Sequence, residues 1–171
     1  KDIQCSESFW RTRLEAMKAV DDLVGALASD LEQKNELSNT AIILTSDNGY
    51  FFGEHRLTKK VVGYEEAMRH PLAIRAPGYP EGQVSSRLVL STDLSPTIVQ
   101  LADATNGITP DGRSLVPLLA NPSAPWRLRV FGEYLGSAPE VGGRTFYLAR
   151  TGPDDSTAPN DSYIIWSDGT E

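Results

Sequence analysis

Polar side chains of several types fall within one short stretch of this 171-residue chain: Asp47, Asn48, Glu54, His55, Lys59 and Lys60. They bring together a carboxylate, a carboxamide, an imidazole and ammonium groups. Just before them runs an apolar, β-branched segment, Ala41, Ile42, Ile43 and Leu44, which reads as a fully buried strand. It stops at Ser46-Asp47-Asn48-Gly49. In open α/β sheets, ligands bind just outside the carboxyl ends of strands. Asp47 and Asn48 therefore sit where an active site is expected. His55 is a candidate for donating a proton or touching a substrate, and equally for steadying the loop. Glu54 and Lys59 read as a solvated pair worth well under ~1 kcal/mol. A plainer reading stands beside this one. Asn-Gly is a strong turn signal because both residues tolerate positive φ, and the loop would then be a turn with no chemistry.

The elements that must position these residues are legible on both sides. From Phe9 to about Leu31, apolar residues recur at Trp10, Leu14, Met17, Val20, Val24, Leu27 and Leu31. Spacings of three and four predict an amphipathic helix packed on a sheet face. Gln33–Asn39 is a polar connector and Thr40 opens the strand, which is predicted over Ala41–Thr45. Phe51 and Phe52 are anchors for the loop or a substrate wall, anchoring being preferred. Tyr64–Met68 can form a short helix, but Pro71 disfavours helical geometry at His70. Leu72–Ala76 then reads as a second strand, broken by Pro77-Gly78. His70 reads as structural.

Over Ser46–Gly78 the motifs line up in order: S-D-N-G, G-E-H, Lys60, then Y-E-E-x-x-R-x-P-L-x-I-R-x-P-G. This pattern resembles the sulfatase family, within the alkaline phosphatase superfamily. The resemblance implies that Asp47 and Asn48 are metal ligands and that Lys60 contacts the sulfate. A divalent cation is implied, Ca2+ first, with Mg2+ or Mn2+ as alternatives; hard cations favour such oxygen ligands. Lys60 would set positive charge against the sulfate oxygens. The family's nucleophile is a formylglycine made from a cysteine or serine in a C-x-P-x-R-type motif. Cys5 lies in C-S-E-S-F, without that proline and arginine, and reads as an ordinary thiol. The nucleophile and the remaining acidic ligands are expected upstream, so no catalytic nucleophile is assigned within these residues.

Further along, Thr92-Asp93 offers a helix N-cap and Pro96 suits a first turn, predicting a helix over Asp93–Ala102. D-L-S-P-T-I and the stretch from Asp111-Gly112-Arg113-Ser114-Leu115 to Leu119 match two further family patterns, read as packing signatures. After the Pro-rich connector Asn121–Pro125, β-like runs appear at Arg129–Leu135, Arg144–Arg150 and Tyr163–Trp166. Gly152–Asn160 reads as a flexible loop, and Asp168-Gly169 as a hairpin turn lacking its return strand.

The fold class expected is thus α/β: part of a mainly parallel sheet flanked by helices over residues 1–125, then a small antiparallel subdomain over 126–171. Both strands are placed in one sheet, with the Phe9–Leu31 helix on its face by the right-handed crossover rule. The sequence is 40% hydrophobic and 23% charged, with a formal charge of −7. That balance argues against a nucleic-acid-binding surface. No apolar run approaches the ~20 residues of a membrane span, and one cysteine permits no internal disulfide. The N-terminus carries no signal-peptide pattern. The resemblance marks the chain as the C-terminal part of a longer enzyme, truncated at both ends and inactive alone; its uncovered apolar faces make it either self-associating or only marginally stable. A secreted or periplasmic location is implied by the family alone. The expected activity of the intact protein is hydrolysis of sulfate esters. Phosphonate or phosphate ester hydrolysis on the same fold is one alternative, and a non-catalytic binding or structural module is another.

Overall fold

A computed structural model describes residues 2–60, 62–105, 107–136 and 144–170; of residues 2–6 only the backbone is described, which leaves the Cys5 thiol outside the description. The chain forms two compact units. The first comprises residues 1–60 and 65–77, and the second residues 61–64 and 78–171.

The first unit begins with a long helix, α1 (Asp2–Gln33). It ends where Asn35 takes a left-handed φ of 59°. Glu36 N–H then bonds Leu31 O at 2.8 Å, and Asn35 N–H bonds Glu32 O at 3.0 Å. These paired bonds use carbonyls that the helix end would otherwise leave without donors. Val20, Val24 and Leu31 lie half-buried on one stripe. Trp10, Leu14, Met17 and Leu27 are about half exposed, at 47%, 50%, 53% and 53%. The expectation that α1 buries its apolar side along a sheet is thereby corrected: over much of its length that side faces outward.

Strand β1 (Ile42–Thr45) follows a 3-10 turn at Leu37–Asn39. It pairs with a later strand, Leu72–Arg75 (β4 in chain order), from Ile42 opposite Arg75 to Thr45 opposite Leu72. Both predicted strands do share one sheet. Their pairing is antiparallel, which overturns the parallel arrangement expected for them. The reason is topological. Parallel neighbours need a crossover that carries the chain back to the starting end. Only a hairpin and a one-turn helix separate these strands, so the chain re-enters at the end it left. α1 precedes both strands and is not their connection, so the crossover rule does not govern their pairing. Nor is β1 fully buried: Leu44 is 41% exposed. Arg75 fastens the start of β1, its Nη1 donating to Leu37 O at 2.9 Å and to Thr40 O at 3.3 Å.

Between the strands lie β2 (Phe51–Phe52) and β3 (Thr58–Lys59), an antiparallel pair closed by a 3-10 turn at Glu54–Arg56. The one-turn helix α2 (Glu65–Met68) follows.

The second unit holds α3 (Leu94–Leu101), α4 (Val116–Ala120), and an antiparallel three-stranded sheet of β5 (Arg129–Tyr134), β6 (Phe146–Thr151) and β7 (Ser162–Trp166). The three strands match the three predicted runs. Their register aligns Tyr134, Phe146 and Trp166 across the sheet. The Phe146 ring lies 5.4 Å from that of Tyr134 and 5.2 Å from that of Trp166, which adds to the apolar burial around Phe146. Leu115, Leu118, Phe146 and Leu148 are buried.

The D-L-S-P-T and D-G-x-S-L stretches meet as packing signatures should. Asp93 is fully buried. It accepts from Leu90 N–H and Arg113 N–H, both at 2.8 Å, and from Arg127 Nη1 and Nη2 at 2.5 and 2.8 Å. Thr97 Oγ1 accepts from Leu115 N–H at 2.8 Å. A Cβ at Gly112 would overlap Thr92 O, so only glycine permits this approach.

The loop after β6 also departs from expectation. Asp155, 2% exposed, accepts from Thr157 N–H at 2.9 Å, Ala158 N–H at 3.2 Å and Arg129 Nε at 2.5 Å. Composition suggested a flexible segment over Gly152–Asn160; a buried carboxylate organises it instead. Such a carboxylate is stable only with its lone pairs satisfied, and the neighbouring amides and Arg129 do so.

Candidate functional site

The first unit gathers the residues singled out at the strand end. Lys60, just after β3, donates from Nζ to Asn48 Oδ1 at 2.7 Å. The same Nζ lies 3.5 Å from Asp47 Oδ2. Asn48 Nδ2 donates to Gly49 O at 2.7 Å, which orients the amide oxygen toward the lysine. Ser46 Oγ donates to Asn48 O at 3.0 Å. The cluster is open to solvent, with the Asp47 and Lys60 side chains 80% and 49% exposed. What desolvation remains acts to raise the Asp47 carboxyl. The Lys60 charge and its hydrogen bond outweigh it, and the pKa falls below the ordinary carboxylate value.

Gly49 explains how the loop is held. Its φ is not positive, so the turn reading of Asn-Gly gives the wrong reason for this glycine. A Cβ there would overlap Glu66 O and stand 2.6 Å from Arg69 O. Gly49 N–H also donates to Ala67 O at 2.8 Å. The backbone of α2 is thus packed directly against the residue that follows Asp47 and Asn48. At the base of the loop, Thr45 Oγ1 donates to Pro71 O at 2.9 Å and lies 3.3 Å from His70 Nδ1, in keeping with a structural His70.

His55 meets a carboxylate outside the Asp47–Asn48–Lys60 cluster. Its Nε2 lies 3.3 Å from Glu66 Oε1, and its ring meets Phe51 edge-on at 6.2 Å. His55 and Arg56 both have left-handed φ, 52° and 59°. Phe51 is fully buried and anchors the hairpin. Phe52 is half-buried and faces α1: its ring lies 4.6 Å from Trp10, and the Arg13 guanidinium stacks over it at 4.9 Å. Glu54 accepts from Phe52 N–H at 2.6 Å, a local cap that closes the turn. Glu66 and Arg13 were missed from sequence. The signal for Glu66 was its place in Y-E-E beside the motif lysine; Arg13 carried none.

Asp47 and Asn48 supply one anionic and one neutral oxygen, a donor set that suits part of the shell of a hard cation. Among the described residues, no group of three or more His, Cys, Asp or Glu side chains converges to hold a metal. No helix among them is long and apolar enough to cross a membrane.

The family model "Sulfatase" matches residues 2–104. Human N-acetylglucosamine-6-sulfatase is 41% identical over 142 residues, spanning 81% of this chain and 26% of the relative. N-acetylglucosamine-6-O-sulfatase from Bacteroides thetaiotaomicron is 36% identical over 149 residues, spanning 85% and 27%. Among solved structures, one described as bound to its substrate D-glucosamine-2-N,6-O-disulfate matches with a TM-score of 0.69 at 32% identity. It covers 87% of this chain and 32% of that one. A phosphonate monoester hydrolase from Silicibacter pomeroyi matches with a TM-score of 0.65 at 27% identity, covering 88% and 33%. The chain spans about a quarter of the length of the curated relatives it matches. In the strand-end motifs, the family model and these relatives alike, the chain belongs to the sulfatase family.

Proposed function

We propose that the full-length protein hydrolyses sulfate esters, and that its substrates are 6-O-sulfated glucosamine units. The observation that carries the reaction class is the Lys60 ammonium bonded to Asn48 and facing Asp47 at the end of β1. The substrate class rests on the N-acetylglucosamine-6-sulfatase relatives. Asp47 and Asn48 hold a divalent cation, Ca2+ by preference for such oxygens. A cation bound there supplies Lewis-acid polarisation of the sulfuryl oxygens. Lys60 binds the sulfate and stabilises charge as it redistributes toward the leaving oxygen. His55 contacts the substrate and gives a proton to the departing alcohol. The nucleophile, a formylglycine in this family, comes from outside these residues. Residues 1–125 belong to the catalytic domain, with 126–171 a β subdomain attached to it. The isolated 171-residue chain self-associates through the exposed apolar residues of α1.

A second reading is favoured by the phosphonate monoester hydrolase neighbour. The same oxygens and lysine suit a phosphonate monoester. The discriminating experiment offers the full-length protein N-acetylglucosamine 6-sulfate and an aryl phosphonate monoester side by side. Sulfate release with a larger kcat/KM than phosphonate cleavage is expected. The reverse order selects the second reading, and turnover of neither overturns both.

A further inference from the structure

Glu66 is an unexplained carboxylate. Its Oε2 is buried and has no hydrogen-bond partner among the described residues. Its Oε1 lies 3.3 Å from His55 Nε2. A carboxylate oxygen withdrawn from water and left without a donor is costly, so a native fold that keeps one calls for a reason. The other oxygen, Oε1, is turned to the neighbouring imidazole. His55 sits on a turn whose Gly53, His55 and Arg56 all have positive φ, 123°, 52° and 59°. The ring is held by Phe51 on one side and Glu66 on another. The same residue, Glu66, has its backbone carbonyl in tight contact with Gly49. α2 therefore grips both halves of the loop: by its backbone the segment after Asp47 and Asn48, and by the Glu66 side chain the histidine.

We propose that Glu66 is a positioning residue which fixes the orientation of the His55 imidazole in the turn between β2 and β3. The catalytic part of this inference rests on the sulfatase reading above; the pairing itself does not. A carboxylate behind an imidazole selects its tautomer and ring orientation. Glu66 touches no substrate in this account and acts only through His55.

The test is a double-mutant cycle in the full-length protein with 4-methylumbelliferyl sulfate, together with 15N spectra of its histidine rings. The His55 signals are identified by their loss in His55→Ala. Glu66→Ala is expected to lower kcat roughly tenfold with KM little changed, less than the ~10²–10⁴ that loss of a general acid–base group itself costs. Glu66→Gln, which keeps an oxygen acceptor, recovers part of that loss. In a His55→Ala background, Glu66→Ala costs nothing further, and its melting temperature stays at that of the single variant. The His55 ring 15N shifts move in Glu66→Ala. Independent losses from the two substitutions, or unmoved His55 signals, would overturn the proposal. Should the wild-type protein cleave no sulfate ester, the functional reading fails by itself, and the histidine spectra still decide the pairing.

Discussion

Asp47 and Asp93 each meet one basic side chain, and the two pairs are built differently. Asp93 is fully buried and Arg127 has 9% of its side chain exposed; two guanidinium bonds and two backbone N–H groups saturate the carboxylate. Asp47 is 80% exposed, and its lysine stands 3.5 Å away while bonding Asn48 more closely. In the first pair every lone pair is spoken for, and removing either partner strands a buried charge. In the second, water competes for both groups and the lysine is loosely engaged, so a ligand can displace it cheaply. The same two chemical types build the fold in one unit and leave an exchangeable site in the other. Burial and the count of fixed donors separate the two uses.

The largest expected effect falls on the exposed pair. In the full-length protein, Asp47→Ala should abolish metal-dependent hydrolysis of sulfate esters, since a hard cation loses its charged ligand, while the melting temperature hardly moves. Asn48→Ala, which removes only a neutral dipole, should hurt less. Wild-type turnover by Asp47→Ala would break the comparison, because the exposed pair would then serve neither chemistry nor fold.

Asp93→Ala should do the opposite. Leaving Arg127 without its partner, and Leu90 and Arg113 N–H without their acceptor, should cost ~3–5 kcal/mol in chemical denaturation. A loss under ~1 kcal/mol, the range of exposed ion pairs, would erase the distinction between the two aspartates.

Lys60→Ala should lower turnover of an aryl sulfate by ~10²–10³, the scale of one electrostatic stabiliser. Lys59→Ala should change it little, because Lys59 lies on β3 opposite Phe51, while the bond to Asn48 is made by Lys60. The reverse outcome would place the wrong lysine in the site.

The smallest effect is on acid stability. The Thr170 hydroxyl, then Arg144, lowers the Asp168 pKa to about 2, and Arg129 with Thr157 holds the Asp155 carboxyl further below its ordinary value. Both carboxylates bind protons less readily folded than unfolded. Their contribution is therefore present above pH ~4 and is lost as pH falls from there through about 2. Thermal melts between pH 5 and pH 2 should show a decline that is smaller in Asp168→Asn. A decline of equal size in that variant would remove Asp168 from the account.

Legibility differed along the chain for physical reasons. The runs that became β5, β6 and β7 were visible because side-chain alternation and turn residues act locally. α1 was visible by its period, although where its apolar stripe points was not, since that depends on what covers it. The carboxylates Asp93 and Asp155 looked like ordinary polar residues. Their partners, Arg127 and Arg129, lie 34 and 26 positions away in the chain, and nothing local announces such pairs. The flexible reading of Gly152–Asn160 failed for that reason. The parallel pairing failed because strand direction follows from the connection, and the helix between β1 and β4 has a single turn.

By itself the sequence determined the strand that ends just before Asp47 and Asn48, the order of the motif residues behind it, and the family these imply. Those are short-range properties, set by the alternation, apolarity and turn chemistry of neighbouring residues. Tertiary structure alone decided that Lys60 reaches Asn48, that Gly49 is glycine for contact with α2 and not for its φ, and that Glu66 stands behind His55. Each depends on backbones meeting after the chain has turned back on itself, and spacing along the chain does not encode which atoms then lie within bonding distance.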